Sequence, residues 1–344
     1  MPLFTFKKYF GIDLGTDNTR VYLKGVGIVI DEPSIVAFNN RTGRILAVGS
    51  DAKKMLSRTP SHISAIRPIS HGVIANFEMA KEMLQQFLKS KDLPWSWITQ
   101  TVVSVPTNLT EVERKSVEDL LKEVGVSQVY LIEQPLAAAI GSRLDVNQPT
   151  AYLIVDIGAG TTDIAVVSMN GVVVSNRLKI AGNHIDQEII KFVKEEFKLN
   201  IGEPTAEEIK INVGSAISNN ERLEIKVRGR DVVSGLPHEV IIKDTQVRIW
   251  LQKSIKQISQ GIKDLIEITP AELVGDIYKN GLYLCGGGSL LRGIDQFLNK
   301  ELGVNVSVVE EPLGCVARGA GLVVERFNDY RHLLESFSKF KDKI

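Results

Sequence analysis

The sequence predicts an α/β protein built as two duplicated halves that meet across a cleft, and three observations carry that expectation. The chain has 344 residues, enough for about two domains that each bury a core. Strand-like and helix-like periodicities alternate along most of it. A glycine-bearing turn with its flanking strands occurs twice, and a third glycine turn follows near the end.

Composition narrows the function classes. Lys plus Arg is 41 and Asp plus Glu is 41, so the formal net charge is zero and nothing pulls the chain as a whole toward nucleic acid. Cys285 and Cys315 are too few for a disulfide framework, and neither stands at a metal-ligand spacing with the five histidines, which fits a reducing, cytoplasmic setting. No run reaches the ~18 apolar residues of a spanning helix, and the start lacks the order of charge, apolar stretch and cleavage site that a signal peptide has. Two short stretches nonetheless suit a membrane interface. Leu3, Phe4 and Phe6 precede Lys7 and Lys8, while Leu93, Trp95 and Trp97 follow Lys89 and Lys91, and apolar rings beside cations favour the lipid headgroup layer. The same residues also suit a strand lead-in and a core edge.

In chain order, Tyr9 to Asp13, Thr19 to Val29 and Ser34 to Phe38 read as strands of an opening meander. Phe77, Ala80, Met83, Leu84, Phe87 and Leu88 recur at helical spacing, and Thr101 to Val105 is a strand that stops at Pro106. Thr110 and Glu113 form a capping-box pattern ahead of a helix burying Val117, Leu120, Leu121 and Val124. Val129 to Ile132 reads as a strand, Pro135 to Leu144 as a helix and Ala151 to Val155 as a strand entering the second turn. Beyond Ala181 come a helix from Ile185 to Phe197, a second capping box at Thr205 and Glu208, and a mixed region that looks like an inserted subdomain. A long helix from Thr245 to Ile268 follows, then another opened by Pro270. The chain ends as strand Leu282 to Cys285, the turn Gly286-Gly287-Gly288 and a helix from Leu290 to Leu302.

The chemistry lies in the repeat. Shifting Gly11-Ile12-Asp13-Leu14-Gly15-Thr16-Asp17-Asn18-Thr19 by 143 positions sets Asp13 on Asp156, Gly15 on Gly158 and Thr19 on Thr162. In each copy a strand delivers an aspartate, a glycine permits a tight turn, and small hydroxyl residues lead into the next strand. Such a turn points backbone N–H groups at one spot and makes an anion nest. An aspartate there cannot bind phosphate, so its use is to hold Mg²⁺ while the amides hold phosphate oxygens. One such turn alone is routine hairpin chemistry, whereas two matched copies would grip a polyphosphate between two halves. The third turn would let a flat ring lie against bare backbone, although glycine-rich strand-to-helix turns are common in α/β proteins.

The three turns, in this order, resemble the nucleotide-binding signature of the actin, Hsp70 and sugar-kinase superfamily, and in detail the MreB family of bacterial actins. Also similar are Glu32-Pro33-Ser34, Ile66-Arg67-Pro68 with His71-Gly72, Pro135 to Gly141, Ile180-Ala181-Gly182-Asn183, Thr205-Ala206-Glu207 and Gly286 to Gly293. The resemblance covers about the whole chain. It implies an actin-like fold: two ribonuclease-H-like halves with inserted subdomains around a central nucleotide cleft that closes on ATP and Mg²⁺. The first half would take 1–145 plus 316–344, with an insertion at 31–75, and the second 146–315, with an insertion at 183–245. Carried over, Gly15, Thr16, Asp17 and Asn18 form the first phosphate turn, and Gly158, Ala159, Gly160 and Thr161 the second. Asp13 and Asp156 would face the metal. Glu207, Glu208 and Lys210 would border the adenosine, Gly286, Gly287, Gly288, Ser289 and Leu290 would underlie base and ribose, and Thr162 with Gln134 would flank the attacking water beside Glu133.

The sequence departs from the family pattern at three positions. Glutamine stands at 134 where the family usually has glutamate, and an amide orients water but is a poor proton acceptor. Asp17 replaces a small residue, a negative charge beside the phosphates that Lys24, Arg20 or Mg²⁺ would have to offset, and Asp163 replaces glutamate. The resemblance implies a slow, Mg²⁺-dependent ATPase that polymerises into filaments with itself. It would lie on the inner membrane surface through the loop holding Leu93, Trp95 and Trp97, and organise cell-wall elongation and cell shape with partner proteins. A filament protein that barely hydrolyses ATP is the alternative raised by Gln134 and Asp17. A small-molecule kinase of the superfamily is a weaker one, since no substrate base or sugar-binding insertion stands out.

Overall fold

A computed structural model of the chain describes residues 8–91, 98–218 and 222–334. Leu93, Trp95 and Trp97, like Leu3, Phe4 and Phe6, lie outside the described residues.

The first half opens with strands β1 (Lys8–Leu14), β2 (Asn18–Leu23) and β3 (Gly27–Pro33). A small three-stranded sheet follows from β4 (Val36–Asn39), β5 (Ile45–Val48) and β6 (Ile63–Ile66), with helix α1 (Gly49–Met55) between the last two. The pair β7 (Ile69–Ser70) and β8 (Val73–Ile74) leads to α2 (Phe77–Lys89), β9 (Ile98–Val105), α3 (Glu111–Glu123), β10 (Gln128–Glu133) and α4 (Gln134–Gly141). Asn76 caps α2, its side chain accepting from the Met79 N–H at 3.1 Å, and the α2 face that carries Ala80, Met83, Leu84, Phe87 and Leu88 is buried. The expected capping box is present: Thr110 N–H donates to Glu113 Oε2 at 2.8 Å and Glu113 N–H to Thr110 Oγ1 at 3.3 Å.

The second half repeats the plan with β11 (Tyr152–Ile157), β12 (Thr162–Ser168) and β13 (Gly171–Leu178). Then come α5 (Gly182–Phe197), β14 (Leu199–Asn200), α6 (Glu203–Val213), β15 (Glu224–Asp231), β16 (Pro237–Lys243), α7 (Asp244–Ile268) and α8 (Ala271–Asn280). Strand β17 (Leu282–Cys285), α9 (Ile294–Leu302) and β18 (Val306–Val308) complete it, and α10 (Cys315–Glu325) and α11 (Phe327–Tyr330) follow. Several boundaries differ from expectation: α4 ends at Gly141 rather than Leu144, and α5 begins at Gly182 rather than Ile185. Helix α6 starts at Glu203 with Pro204 in its first turn, so Thr205 sits inside the helix and caps nothing. The stretch from Thr19 to Val29 is divided by a turn into β2 and β3. The segment after the third glycine turn is one 3₁₀ turn, Gly287–Leu290, and α9 begins only past Gly293, whose φ of 69° interrupts a continuous helix.

The two large sheets have the same topology. Their orders are β10-β9-β1-β2-β3 and β18-β17-β11-β12-β13, each with three antiparallel strands followed by two parallel ones. Each half has its own core, one around Phe10, Met83 and Leu120, the other around Val155, Trp250 and Leu251. A third cluster lies between them, where α4 and α10 pack on each other and on residues of both sheets, Val102, Ile154 and Val167 among them. There α10 returns to the first half: a Cβ on Gly11 of β1 would come within 2.4 Å of Gly321 N. The helix pair touches backbone to backbone, since a Cβ on Gly319 would stand 1.8 Å from Ala137 O and one on Gly141 2.0 Å from Cys315 O. Neither glycine has a positive φ, so the requirement is for space alone. Gly319→Ala should therefore force α10 off α4 and lower unfolding free energy by about 2 kcal/mol or more in urea denaturation, whereas Gly275→Ala in α8, where φ is not positive and nothing lies within 4 Å, should not destabilise.

Candidate functional site

The duplicated hairpins bring their turns face to face. A Cβ on Gly160 would lie 2.7 Å from Thr16 Oγ1, so the second turn rests on the first with no room for a side chain. The segment after β7 clamps the contact. Gly72 N–H donates to Thr16 Oγ1 at 3.2 Å, and His71 Nδ1 lies 2.9 Å from Gly160 O; a carbonyl only accepts, so Nδ1 carries the proton. His71 adopts the left-handed region, at φ 50°, to reach it. Each turn is also stapled from its own half. Ser34 N–H donates to Asp17 O and Ser34 Oγ to Gly15 O, both at 2.7 Å, while Gly182 N–H and Asn183 N–H donate to Gly158 O and Ala159 O at 3.1 and 2.8 Å. Among the described residues the N–H groups of Thr16, Ala159 and Gly160 find no protein acceptor. Free amides in two opposed turns are the nest that an oxyanion requires.

Behind the turns run two polar rows, one across each sheet. In the first, Ser104, Asp13, Arg20 and Asp31 stand opposite one another on neighbouring strands; in the second, Cys285, Asp156, Asp163 and Arg177 do. The repeat aligns Asp13 with Asp156, but then pairs Arg20 with Asp163 and sets Asp31 where the second half has Arg177. The flanking ion pair is reversed. Burial pushes the Asp13 carboxyl up, against Arg20 and hydrogen bonds from Ser104 and Gln134, which pull it down. At Asp156 burial raises the carboxyl well above its usual range and Asp163 and Asp13 raise it further, with Arg20 opposing. Among the described residues no three His, Cys, Asp or Glu side chains converge as a ligand set for a metal. Two under-compensated carboxylates beside free amides instead suit a hard cation held jointly with an anion.

Between the halves lies a cavity of about 430 Å³. Asp17, Gly158, Ala159, Glu207, Lys210, Gly287, Gly288 and Leu290 line it, together with Lys53, Arg67, Gly182, Asn183 and Asp186. Some expected contacts lie elsewhere. Glu208 is exposed, one position round α6 from Glu207. Ser289 is buried and donates to Gly286 O at 2.7 Å, which closes the third turn. Gly286, at φ 77°, passes beneath Asp156, where a Cβ would meet Oδ1 at 2.2 Å. Asn18 turns aside to Asp31 Oδ1 at 2.6 Å.

The expected water-flanking pair is not brought together. Gln134 lies beside Asp13, but Thr162 is fully buried and donates its hydroxyl to Ile180 O at 2.6 Å. Strand alternation gives Thr162 the face of Ile164 and Val166, in the core of the second half. Its counterpart Thr19 is likewise buried and bonded to Ser34 Oγ at 2.9 Å, so both threonines anchor turns. Glu133 ends β10 half-buried, its carboxyl raised by burial against Arg114. Asp17 is offset by neither Lys24 nor Arg20: Lys24 Nζ donates to Val324 O and Glu325 O, and Arg20 pairs with Asp31. The cation beside Asp17 is Arg67, at 3.8 Å, which reaches across the cleft to Glu203 at 3.0 Å. Lys53 spans the same gap to Glu207 at 3.1 Å.

Residues 7–332 match the family described as MreB/Mbl protein. The chain belongs to the MreB/Mbl family. It is 44% identical over 324 residues to the cell shape-determining protein Mbl of Bacillus subtilis strain 168, covering 94% of this chain and 97% of that relative. Identity to the cell shape-determining protein MreB of Escherichia coli K12 is also 44%, over 326 residues, 93% of this chain and 94% of the relative. The crystal structure of MreB5 of Spiroplasma citri bound to AMPPNP superposes with a TM-score of 0.91 at 34% identity, over 95% of this chain and 98% of that one. The MamK double helical filament matches in fold, with a TM-score of 0.78 at 24% identity over 93% of this chain and 99% of that one. The fold of this MreB/Mbl family member is therefore the actin-like one.

Several cleft residues had no role in the sequence reading. Ser34, Arg67, His71, Gly72, Gly182 and Asn183 all stand in segments that carried the resemblance, but nothing in their spacing says that they staple the turns. Asp186 had no signal at all. Its carboxylate takes Lys210 Nζ at 2.8 Å, and burial pushes it up to about 6 even though Lys210 pulls it down. In the nucleotide-free protein a folded carboxyl raised above its unfolded value of 3.8 contributes stability that is present below that value and lost as pH rises through about 6. Relative to Asp186→Asn, the natural protein should lose about 2 kcal/mol in denaturant titrations between pH 4.5 and 7.5, and a flat difference would contradict the burial argument.

Proposed function

We propose that this chain is an ATP-dependent, filament-forming bacterial actin that acts in determining cell shape. The observation that carries the reading is the pair of opposed turns with unpartnered amides, backed by Asp13 and Asp156 and closed by the glycine turn at Gly286 to Gly288. Family membership supports it, as do relatives named as cell shape-determining proteins and MreB5 structures bound to AMPPNP and to ADP.

In this reading the N–H groups of Thr16, Ala159 and Gly160 take phosphate oxygens. Asp13 and Asp156 hold Mg²⁺ directly or through water, and the ion supplies charge neutralisation at the transferring phosphoryl group. Glu207, Lys210 and Leu290 border the nucleoside. Gln134, beside Asp13, orients the attacking water through its amide. An amide assists proton removal poorly, so hydrolysis is slow. The closed state is held by Arg67 to Glu203 and Lys53 to Glu207, and loosens when the γ-phosphate leaves. No helix among the described residues is long and apolar enough to cross a membrane. Attachment to the inner face of the membrane then falls to Leu93, Trp95 and Trp97, one weak contact per subunit multiplied along a filament. Partners are further copies of the chain and proteins of cell-wall elongation.

Negative-stain electron microscopy with Mg-ATP, with and without anionic liposomes, tests this reading. Filaments should coat liposomes, and a Trp95→Ser, Trp97→Ser variant should polymerise in solution without coating them. Monomers under every condition would remove the polymer reading. Steady-state phosphate release should exceed buffer and fall about tenfold or more in Asp13→Ala or Asp156→Ala.

A further inference from the structure

We propose that Asp163, braced by Arg177, is a positioning residue that makes the Thr161 hydroxyl an obligate hydrogen-bond acceptor and so lets it orient water beside the second phosphate turn. The proposal rests on the reading of the chain as a Mg-ATP-hydrolysing protein. Thr161 Oγ1 donates to Asp163 Oδ2 at 2.8 Å, and Arg177 Nε donates to Asp163 Oδ1 at 2.7 Å. A guanidinium only donates, so it occupies one carboxylate oxygen and leaves the other to the threonine. A hydroxyl has one proton. With that proton committed to Asp163, Thr161 keeps only lone pairs, which cannot serve a phosphate oxygen and can receive a water proton.

The neighbourhood is the right one for that water. Asp163 stands directly across the strands from Asp156, on which Asp13 also acts, and Gln134 lies beside Asp13, so the threonine, three carboxylates and the glutamine form one cluster. The arrangement has a counterpart in the first half, where Asn18 Nδ2 donates to Asp31, itself paired with Arg20 at 3.1 Å. In both halves the last residue of the turn is tethered to an ion pair on the neighbouring strands. The two pairs differ in burial. Asp31 is 48% exposed, whereas the Asp163 and Arg177 side chains are 4% and 15% exposed. A buried pair is a weak source of stability because both charges lose their hydration, but it holds its neighbours at a defined geometry. Simple stapling of β12 to β13 is the competing role.

The test compares Asp163→Asn, Asp163→Glu, Thr161→Val and the double variant Asp163→Asn with Thr161→Val. In Asp163→Asn, Arg177 takes the amide oxygen and turns the NH₂ group toward Thr161, which reverses the hydroxyl. Affinity for a non-hydrolysable ATP analogue should stay within about threefold while kcat for phosphate release falls roughly tenfold or more, a split that pure stapling would not produce. Thr161→Val should match that loss, the double variant should fall no further, and Asp163→Glu should recover part of the rate. In nucleotide-free protein, amide exchange at residues 158–162 should stay unchanged in Asp163→Asn, because the reversed hydrogen bond still ties Thr161 to residue 163, whereas loss of a staple would quicken it. Parallel losses of affinity and rate, additive losses in the double variant, or quickened exchange would each overturn the proposal while hydrolysis by the natural protein stands. Phosphate release by the natural protein no faster than in buffer would remove the hydrolysis reading and this proposal with it.

Discussion

The close contact of α4 with α10 is the constraint on which the rest of the molecule depends. Both helices lie between the two large sheets, and they approach until backbone meets backbone at Gly141 and Gly319. Any side chain there would widen the layer between the sheets. That spacing decides whether the hairpin turns meet, because each turn is carried on the end of a sheet whose inner face rests on this helix pair. The fit of Gly160 against Thr16 is its visible result, and the orphan amides around that contact become one site only because two independent cores are held at this separation.

Duplication sets up the cleft, and the reversed charges make its two sides unequal. Asp13 has a guanidinium as its cross-strand neighbour, while Asp156 has a second carboxylate. The two aspartates occupy equivalent places in equivalent sheets, yet the first is partly compensated within its own half and the second is not. Asp156 therefore has the greater demand for a cation, and the cleft has an electrostatic polarity that its backbone symmetry lacks. Cross-cleft pairs add a further layer. Lys53 with Glu207 and Arg67 with Glu203 join the small first-half region to α6. These pairs are partly exposed, so each contributes only about 1 kcal/mol or less, an amount suited to a closure that must also open.

Much of the fold was legible because its determinants are local. The apolar stripe of α2, the capping box at Thr110 and Glu113 and the copied Asp-Gly turns are properties of short segments, and the structure contains each where the residues require it. The misreadings also have local causes. Thr205 and Glu208 have capping-box spacing, but Pro204 already suits the first turn of a helix that begins at Glu203. Thr162 has a hydroxyl beside the turn, but strand alternation turns it into the core.

The sequence by itself determined the two-half architecture, the nucleotide-type turns and the family, since a repeat of backbone-shaping residues specifies the same hairpin wherever it occurs. Only the tertiary structure decided which groups share the cleft. Arg67 meets Glu203 across 136 residues of chain, and His71 meets Gly160 across 89. Asp163 and Arg177 are paired by a register that depends on a bulge in β13, where Val173 is the extra residue opposite Val166 and Val167 of β12. Electrostatics and hydrogen bonding act through space at a few ångströms, and nothing in the order of residues along the chain measures those distances.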